Sequence, residues 1–192
     1  MNEIIDIFKT PIYNIKKNLD VNYYTKKALE FEKKYESRKK DNIRGYQSPD
    51  LIEKEDVFQK KFFKDIMEDL LKYYSLFNIN KNIQMNELWL NVNRRHAINK
   101  AHDHPFSFMS GVFFIKGPEK SGDLVLHNDH NKILYTQNFH PQYIKKWNSY
   151  NSVTYRIEPE ENVLILFPSS VWHDVEPNLS DETRISLSFN MG

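Results

Sequence analysis

The sequence contains no cysteine among its 192 residues. Disulfide bonds, zinc–thiolate sites and thiol catalysis are therefore excluded. Apolar runs long enough to cross a membrane are also missing, and the first residues lack a signal-peptide profile, so we expect a cytoplasmic protein. Neither sign of charge is in excess, because 27 Lys and Arg balance 26 Asp and Glu. This balance favours neither nucleic acid nor an anionic membrane as a partner.

Two helices are predicted in the N-terminal part of the chain. One apolar face of a helix, with spacings of four, three and four residues, is formed by Tyr24, Ala28, Phe31 and Tyr35. Asn22 could cap this helix. A longer helix should begin at the Asp50-x-x-Glu53 start signal, and it carries a broad aromatic face. That face could pack on the rest of the protein or on a partner subunit, so a homodimer stays an open alternative.

From about residue 84 onward, apolar residues alternate or form short runs, as they do in β-strands. Strands are predicted at 87–93, 108–116, 123–127, 154–158, 163–167, 173–176 and 183–190. Short strands with turn signals and no intervening helix indicate an antiparallel sandwich or barrel. We therefore expect one mainly β domain over 1–192, in which a helical part, 1–80, packs outside a core that spans 84–192.

The last predicted strand has two different faces. Arg184, Ser186 and Ser188 share one face, and Ile185, Leu187 and Phe189 share the other. The polar face should line a cavity, and the apolar face should carry the N-terminal helices.

Three histidines have the spacing of a metal site. His102 and His104 stand at i and i+2, so in an extended chain both point to one side and Asp103 points to the other. His173 follows a distant apolar strand. A mononuclear iron oxygenase needs three protein ligands on one face and open positions opposite. His102, His104 and His173 could supply them, and Asp103 remains a minor candidate if the chain bends at Pro105.

A cation and two polar side chains could hold the carboxylates of a 2-oxo acid. Arg184 offers a planar donor fork for the carboxylate far from the metal. Ser186, on the same strand face, could add a hydroxyl donor. Asn93 could donate to the carboxylate on the metal side. The alternative interpretation of Arg184 is an outward-facing residue or a structural salt bridge.

Three ordered segments carry a resemblance to a known family. They are His102-Asp103-His104-Pro105 running on to Ser110-Gly111-Val112, then Leu164-Ile165-Leu166-Phe167-Pro168-Ser169 with His173, and last Arg184-Ile185-Ser186-Leu187-Ser188-Phe189-Asn190. With Gly45-Tyr46-Gln47-Ser48, they resemble a family of 2-oxoglutarate–Fe(II) oxygenases found in marine bacteria and phages. The resemblance implies a double-stranded β-helix (jelly-roll), iron on His102, His104 and His173, and 2-oxoglutarate on Arg184 and Ser186. Phe113-Phe114 departs from the family's frequent tyrosine pair, so co-substrate binding should depend more on Arg184 and Ser186.

The expected activity is that of an Fe(II)- and 2-oxoglutarate-dependent dioxygenase, in particular a hydroxylase. It would couple the oxidation of a C–H bond by O2 to the decarboxylation of 2-oxoglutarate to succinate and CO2. The substrate would be a small molecule or a peptidyl residue, covered by the long aromatic segment 128–152 as a lid. Two alternatives stay open: a three-histidine zinc-dependent hydrolase and a non-catalytic jelly-roll binding or structural module.

Overall fold

The strands form two antiparallel sheets in this computed structural model, which describes residues 4–5, 7–80, 82, 84–129 and 141–192. The strands are β1 (Tyr13–Lys16), β2 (Asn42–Ile43), β3 (Tyr46–Gln47), β4 (Met85–Asn93), β5 (Ile98–His102), β6 (Met109–Lys116), β7 (Leu124–His127), β8 (Thr154–Ile157), β9 (Val163–Pro168), β10 (His173–Val175) and β11 (Arg184–Met191). The larger sheet has the order β1-β9-β6-β11-β4-β3, and the smaller has the order β2-β5-β10-β7-β8. This is the jelly-roll architecture that the sequence predicts.

All seven predicted strands are present, with ends that differ by one or two residues from the prediction. The prediction missed four other strands: β1, β2, β3 and β5. Three of these lie before residue 80, so the N-terminal part is not only helical but also supplies the edges of both sheets. β2 and β3 have only two residues each and β5 is mostly polar, so these three lack the apolar alternation that marks the others. β1 alternates apolar and polar residues, but over only four positions.

Two helices precede the main strands: α1 (Val21–Lys34) and α2 (Asp56–Ser75). The prediction that Asn22 caps α1 was wrong, because the Asp20 carboxylate accepts the backbone N–H of Tyr23 at 3.0 Å. The predicted start of α2 was also too early. Asp50 instead accepts the backbone N–H groups of Ile52 and Leu88 at 3.1 and 3.2 Å, which ties the turn before α2 to β4.

The aromatic face of α2 packs on the larger sheet. The Phe62 ring lies 6.0 Å from the ring of Phe113 and 5.5 Å from that of Phe189, measured between centroids. Ile185, Leu187 and Phe189 belong to this same buried core, which confirms the prediction that the apolar face of β11 carries the helices. A second apolar cluster fills part of the space between the sheets, so the polar face of β11 looks into a partly filled interior.

Neither helix in the described part of the chain combines the length and the apolar character needed to span a membrane.

Candidate metal and co-substrate site

Three imidazoles meet at the inner face of the smaller sheet. His102 ends β5 and lies directly opposite His173, the first residue of the neighbouring strand β10. His104 follows two residues after His102, in the turn beyond β5. The ring centroids are 4.3 Å apart for His102 and His173, 4.9 Å for His102 and His104, and 5.2 Å for His104 and His173. One nitrogen from each ring lies within 4.8 Å of the other two, which is a spacing that one metal ion can bridge.

Backbone contacts orient these rings. The Nδ1 atom of His102 lies 2.7 Å from the carbonyl oxygen of Lys100, and that of His173 lies 2.9 Å from the carbonyl oxygen of Val171. A carbonyl oxygen can only accept, so Nδ1 carries the proton in both rings, and Nε2 presents its lone pair. His104 is held through its backbone, whose N–H donates to the carbonyl oxygen of Ser169 at 3.0 Å.

Burial keeps two of the rings neutral. It lowers the pKa of His104 to about 4 and the pKa of His173 to about 3, and the neighbouring imidazole of His102 adds to both shifts. Metal ions bind the neutral imidazole. The site is therefore prepared for a cation over the physiological pH range.

Asp103 stands apart from the three histidines. Within the part of the chain that the structure describes, the metal-binding cluster comprises His102, His104 and His173 and does not include Asp103. This arrangement agrees with the alternation of side chains along an extended chain, which directs residues i and i+2 to the same side.

Arg184 lines the same cavity as the three histidines, from the opposite sheet. It is 2% exposed, and its Nη1 donates to the carbonyl oxygens of Ser121 and Gly122. Its Nη2 is buried and has no hydrogen-bond partner, and among the described residues no carboxylate pairs with the guanidinium. Burial lowers the pKa of Arg184 to about 10, so the group is still charged at neutral pH.

The other two residues predicted to bind the co-substrate differ in position. Ser186 lines the cavity beside Arg184. Asn93 is directly opposite Arg184 on β4, but its amide donates to Asn99 at 2.9 Å and accepts from Asn42 at 2.7 Å. Since Asn99 lines the cavity and Asn93 does not, Asn93 would reach a bound ligand only through Asn99.

The cavity also includes residues to which the sequence assigns no role. Gln47, Trp89, Asn91 and Asn99 line it. Near His104, the Ser110 hydroxyl lies 2.8 Å from the Ser169 hydroxyl and donates to Asn190 at 2.8 Å. Ser110, Ser169 and Asn190 come from the three segments that carry the family resemblance, so this shared origin was the signal that could have found them.

A second and larger cavity, of about 740 Å³, lies next to the metal cluster. Val171 and Leu126 line it, and each is tied to His173: Val171 accepts from the His173 ring, and Leu126 is its partner across the strands. Trp147, Asn148, Ser149 and Ser152 of the predicted lid form part of the wall. Residues 130–140 of that lid lie outside the described residues.

The chain matches the family 2OG-FeII_Oxy_5, described as "Putative 2OG-Fe(II) oxygenase", over residues 87–190. This match covers more than half of the 192 residues, so the chain belongs to this family of oxygenases, which use Fe(II) and 2-oxoglutarate. Membership favours an oxygenase over the zinc hydrolase and the non-catalytic module. No curated protein gives a significant match to the sequence.

Solved structures with the same fold are distant in sequence. The α-ketoglutarate-dependent epimerase SnoN from nogalamycin biosynthesis is similar with a TM-score of 0.69 and 12% identity, over 94% of this chain and 75% of SnoN. HygX from Streptomyces hygroscopicus, crystallised with nickel and 2-oxoglutarate, is similar with a TM-score of 0.63 and 11% identity, over 95% of this chain and 83% of HygX. A prolyl-4-hydroxylase from Pseudomonas putida is similar with a TM-score of 0.58 and 17% identity, over 93% of this chain and 91% of the hydroxylase. At these identities the similarity establishes the double-stranded β-helix fold.

Proposed function

We propose that His102, His104 and His173 bind the iron and that Arg184 binds the distal carboxylate of 2-oxoglutarate. The observation that carries this proposal is the buried Nη2 of Arg184, which has no hydrogen-bond partner among the described residues and belongs to the same cavity as the three histidines. A buried guanidinium without a carboxylate is costly, and a dicarboxylic co-substrate supplies the missing partner. Ser186 adds a hydroxyl donor beside it.

The chain's own residues would hold and orient the reactants. Iron and 2-oxoglutarate, when bound, would supply the oxidising chemistry: O2 is the oxidant, 2-oxoglutarate is decarboxylated to succinate and CO2, and a C–H bond is oxidised, most simply to an alcohol. The three histidines would hold the metal from the wall of the cavity. Phe114 and Phe167 are buried in the wall of the cavity and limit the access of water to it.

The primary substrate would occupy the larger cavity, whose wall touches His173. Its volume of about 740 Å³ is within the range that binds small molecules or a peptide side chain. Among the described residues that line it there is no Lys or Arg, and Asp129 is the one carboxylate. This mostly uncharged lining favours an uncharged substrate group. The segment 128–152 would act as the lid.

Titration of the anaerobic, iron-loaded protein with 2-oxoglutarate tests this function. A chelated keto acid produces a visible charge-transfer band, and we expect a saturable band in the wild type. Arg184→Ala should weaken 2-oxoglutarate binding by about 10- to 100-fold, because it removes a charged hydrogen bond, while iron binding should change little. Arg95→Ala is the matched control, since Arg95 is exposed and pairs with Asp181.

The outcome distinguishes the main alternatives. A protein that holds iron and gives no band would contradict the oxygenase function of this site. Equal losses of iron and 2-oxoglutarate binding in Arg184→Ala would contradict the specific role of Arg184.

A further inference from the structure

Gln47 lies on β3, at the edge of the larger sheet and outside the segment 87–190 that the family match covers. It is directly opposite Asn91 on β4, and Asn91 is directly opposite Ser186 on β11. Side chains that are directly opposite in an antiparallel sheet lie on the same face. Gln47, Asn91 and Ser186 therefore form one polar row across the wall of the cavity that contains the histidines.

The carboxamide of Gln47 differs from the other amides of this wall. Asn91 already donates to the Ser188 hydroxyl at 3.2 Å, and Asn99 accepts from Asn93 at 2.9 Å. Gln47 is 4% exposed, yet among the described residues its Oε1 is buried with no hydrogen-bond partner. A 180° turn exchanges the oxygen and the NH2 group of an amide, so this unpartnered position can hold an acceptor or a donor. Buried polar groups are nearly always satisfied and Gln47 lines the cavity, so the position indicates a ligand group that completes it.

The position of the row indicates which part of the ligand it meets. Ser186 lies two residues from Arg184 along β11, a separation of about 7 Å. Two residues further along, Ser188 is opposite Trp89, whose ring lies 5.6 Å from that of His104. The row therefore lies between Arg184 and the metal cluster. When the distal carboxylate of a five-carbon dicarboxylate is bound to Arg184, its metal-side carboxylate reaches this row.

We infer that the carboxamide of Gln47 donates a hydrogen bond to the metal-side carboxylate of 2-oxoglutarate. This inference rests on the proposed function, and it transfers to Gln47 the role that the sequence assigns to Asn93. A 180° turn of the amide exchanges its oxygen and its NH2 group within nearly the same shape, so the buried position can offer a donor to a carboxylate. Arg184 and Gln47 then hold opposite ends of the co-substrate.

Binding of two different 2-oxo acids distinguishes the contact made by Gln47 from the contact made by Arg184. 2-Oxobutyrate keeps the keto group and the metal-side carboxylate but has no distal carboxylate. The anaerobic iron titration is therefore run with 2-oxoglutarate and with 2-oxobutyrate, on the wild type, Gln47→Leu and Arg184→Ala. Gln47→Leu should weaken binding of both acids by a similar factor of about 10- to 100-fold. Arg184→Ala should weaken 2-oxoglutarate alone and so remove the preference for it.

Gln84→Leu is the matched control, because the same substitution is made at an exposed position. Gln47→Glu provides a second test that needs only 2-oxoglutarate. It places a carboxylate against the bound carboxylate and should weaken binding more than Gln47→Leu does. Metal-free Gln47→Leu should melt at or above the temperature of the wild type, because the substitution removes an unsatisfied buried oxygen.

Several results would overturn the inference. If Gln47→Leu binds 2-oxoglutarate like the wild type, or loses affinity for 2-oxoglutarate but not for 2-oxobutyrate, Gln47 does not contact the metal-side carboxylate. A marked drop in the melting temperature of the metal-free variant would mean that Gln47 stabilises the fold and is not kept for ligand binding. In all these cases the wild-type band remains, whereas failure of the proposed function would remove the band from the wild type itself.

Discussion

Arg184 has a buried, charged guanidinium that the described residues satisfy only in part. The carbonyl dipoles of Ser121 and Gly122 stabilise one side of the guanidinium through Nη1. The other nitrogen, Nη2, is buried and has no hydrogen-bond partner within the part of the chain that the structure describes. Removing one member of a buried ion pair is strongly destabilising, and the metal-free protein already has this incomplete arrangement. The proposed carboxylate ligand would complete this arrangement.

Alanine substitutions at His104 and Asp103 should have different effects on iron binding. His104→Ala should weaken iron binding by about tenfold or more, because it removes one of three clustered nitrogens. Asp103→Ala should leave iron binding unchanged, because Asp103 lies outside the cluster. Anaerobic equilibrium dialysis against Fe(II), with the bound metal quantified, gives both affinities. The reverse pattern would restore a His-x-carboxylate ligand set with a shifted register.

At the scale of elements, the contact between β6, β11 and α2 depends on a glycine. A methyl group added at Gly111 would come within 2.6 Å of Cε1 of Phe189. The Phe189 ring is fully buried and packs against Phe62 of α2, so a shift of the ring would disturb this contact. The close approach of β6 to β11 at this point therefore requires the absence of a side chain.

Gly111→Ala should lower the free energy of unfolding by about 1 to 3 kcal/mol through overpacking. Urea unfolding of the metal-free protein measures the change as a lower midpoint at a similar slope. Gly192→Ala is a suitable control, because the added methyl would lie 3.0 Å from the side-chain amide nitrogen of Asn86 and 3.8 Å from the carbonyl oxygen of Phe106. An unchanged midpoint in Gly111→Ala would mean that the Phe189 ring can shift without cost.

The elements also explain which parts of the structure the sequence predicts. β11 was predictable because its apolar residues alternate regularly, and that alternation also placed Arg184 and Ser186 in the cavity. β5 was not predicted, since Ile98–His102 is a polar segment that is held by pairing with β2 and β10. Gln47 could not be assigned a role because its position depends on pairing with a strand more than forty residues away.

The role of Asn93 was also hard to predict, because it depends on contacts with distant parts of the chain. Its residue type suits a carboxylate donor and its place on the strand next to Arg184 is correct. Its amide is nevertheless engaged by Asn42 and Asn99, which come from two other strands. Contacts of this kind arise from the packing of distant segments and leave no local pattern in the sequence.

In the whole molecule, the site lies between two sheets, and the helices cover the outer face of the larger one. This arrangement buries His173 and half-buries His102 and His104, and burial makes the His104 and His173 rings costly to protonate. Acid should therefore destabilise the metal-free protein through its metal site before it acts on carboxylates.

The pH dependence of unfolding tests this link between the site and global stability. Histidine in the unfolded chain titrates near pH 6.5, whereas folding lowers the pKa of His104 to about 4 and that of His173 to about 3. Below pH 6.5 the unfolded chain therefore binds more protons. The free energy of unfolding should fall as the pH drops from about 6.5 towards 4, by up to about 1.4 kcal/mol per pH unit for each histidine.

Urea unfolding of the metal-free protein between pH 7.5 and about pH 5 isolates this effect, because most carboxylates stay ionised in that interval. The double variant His104→Gln, His173→Gln should lose most of the slope, whereas His96→Asn, at an exposed position, should keep it. Saturating metal ion should raise stability across this interval, since it binds the folded protein, in which the His104 and His173 rings stay neutral. A flat profile above pH 5 in the metal-free wild type would mean that the two rings are hydrated in solution, and that water already reaches the metal side of the cavity.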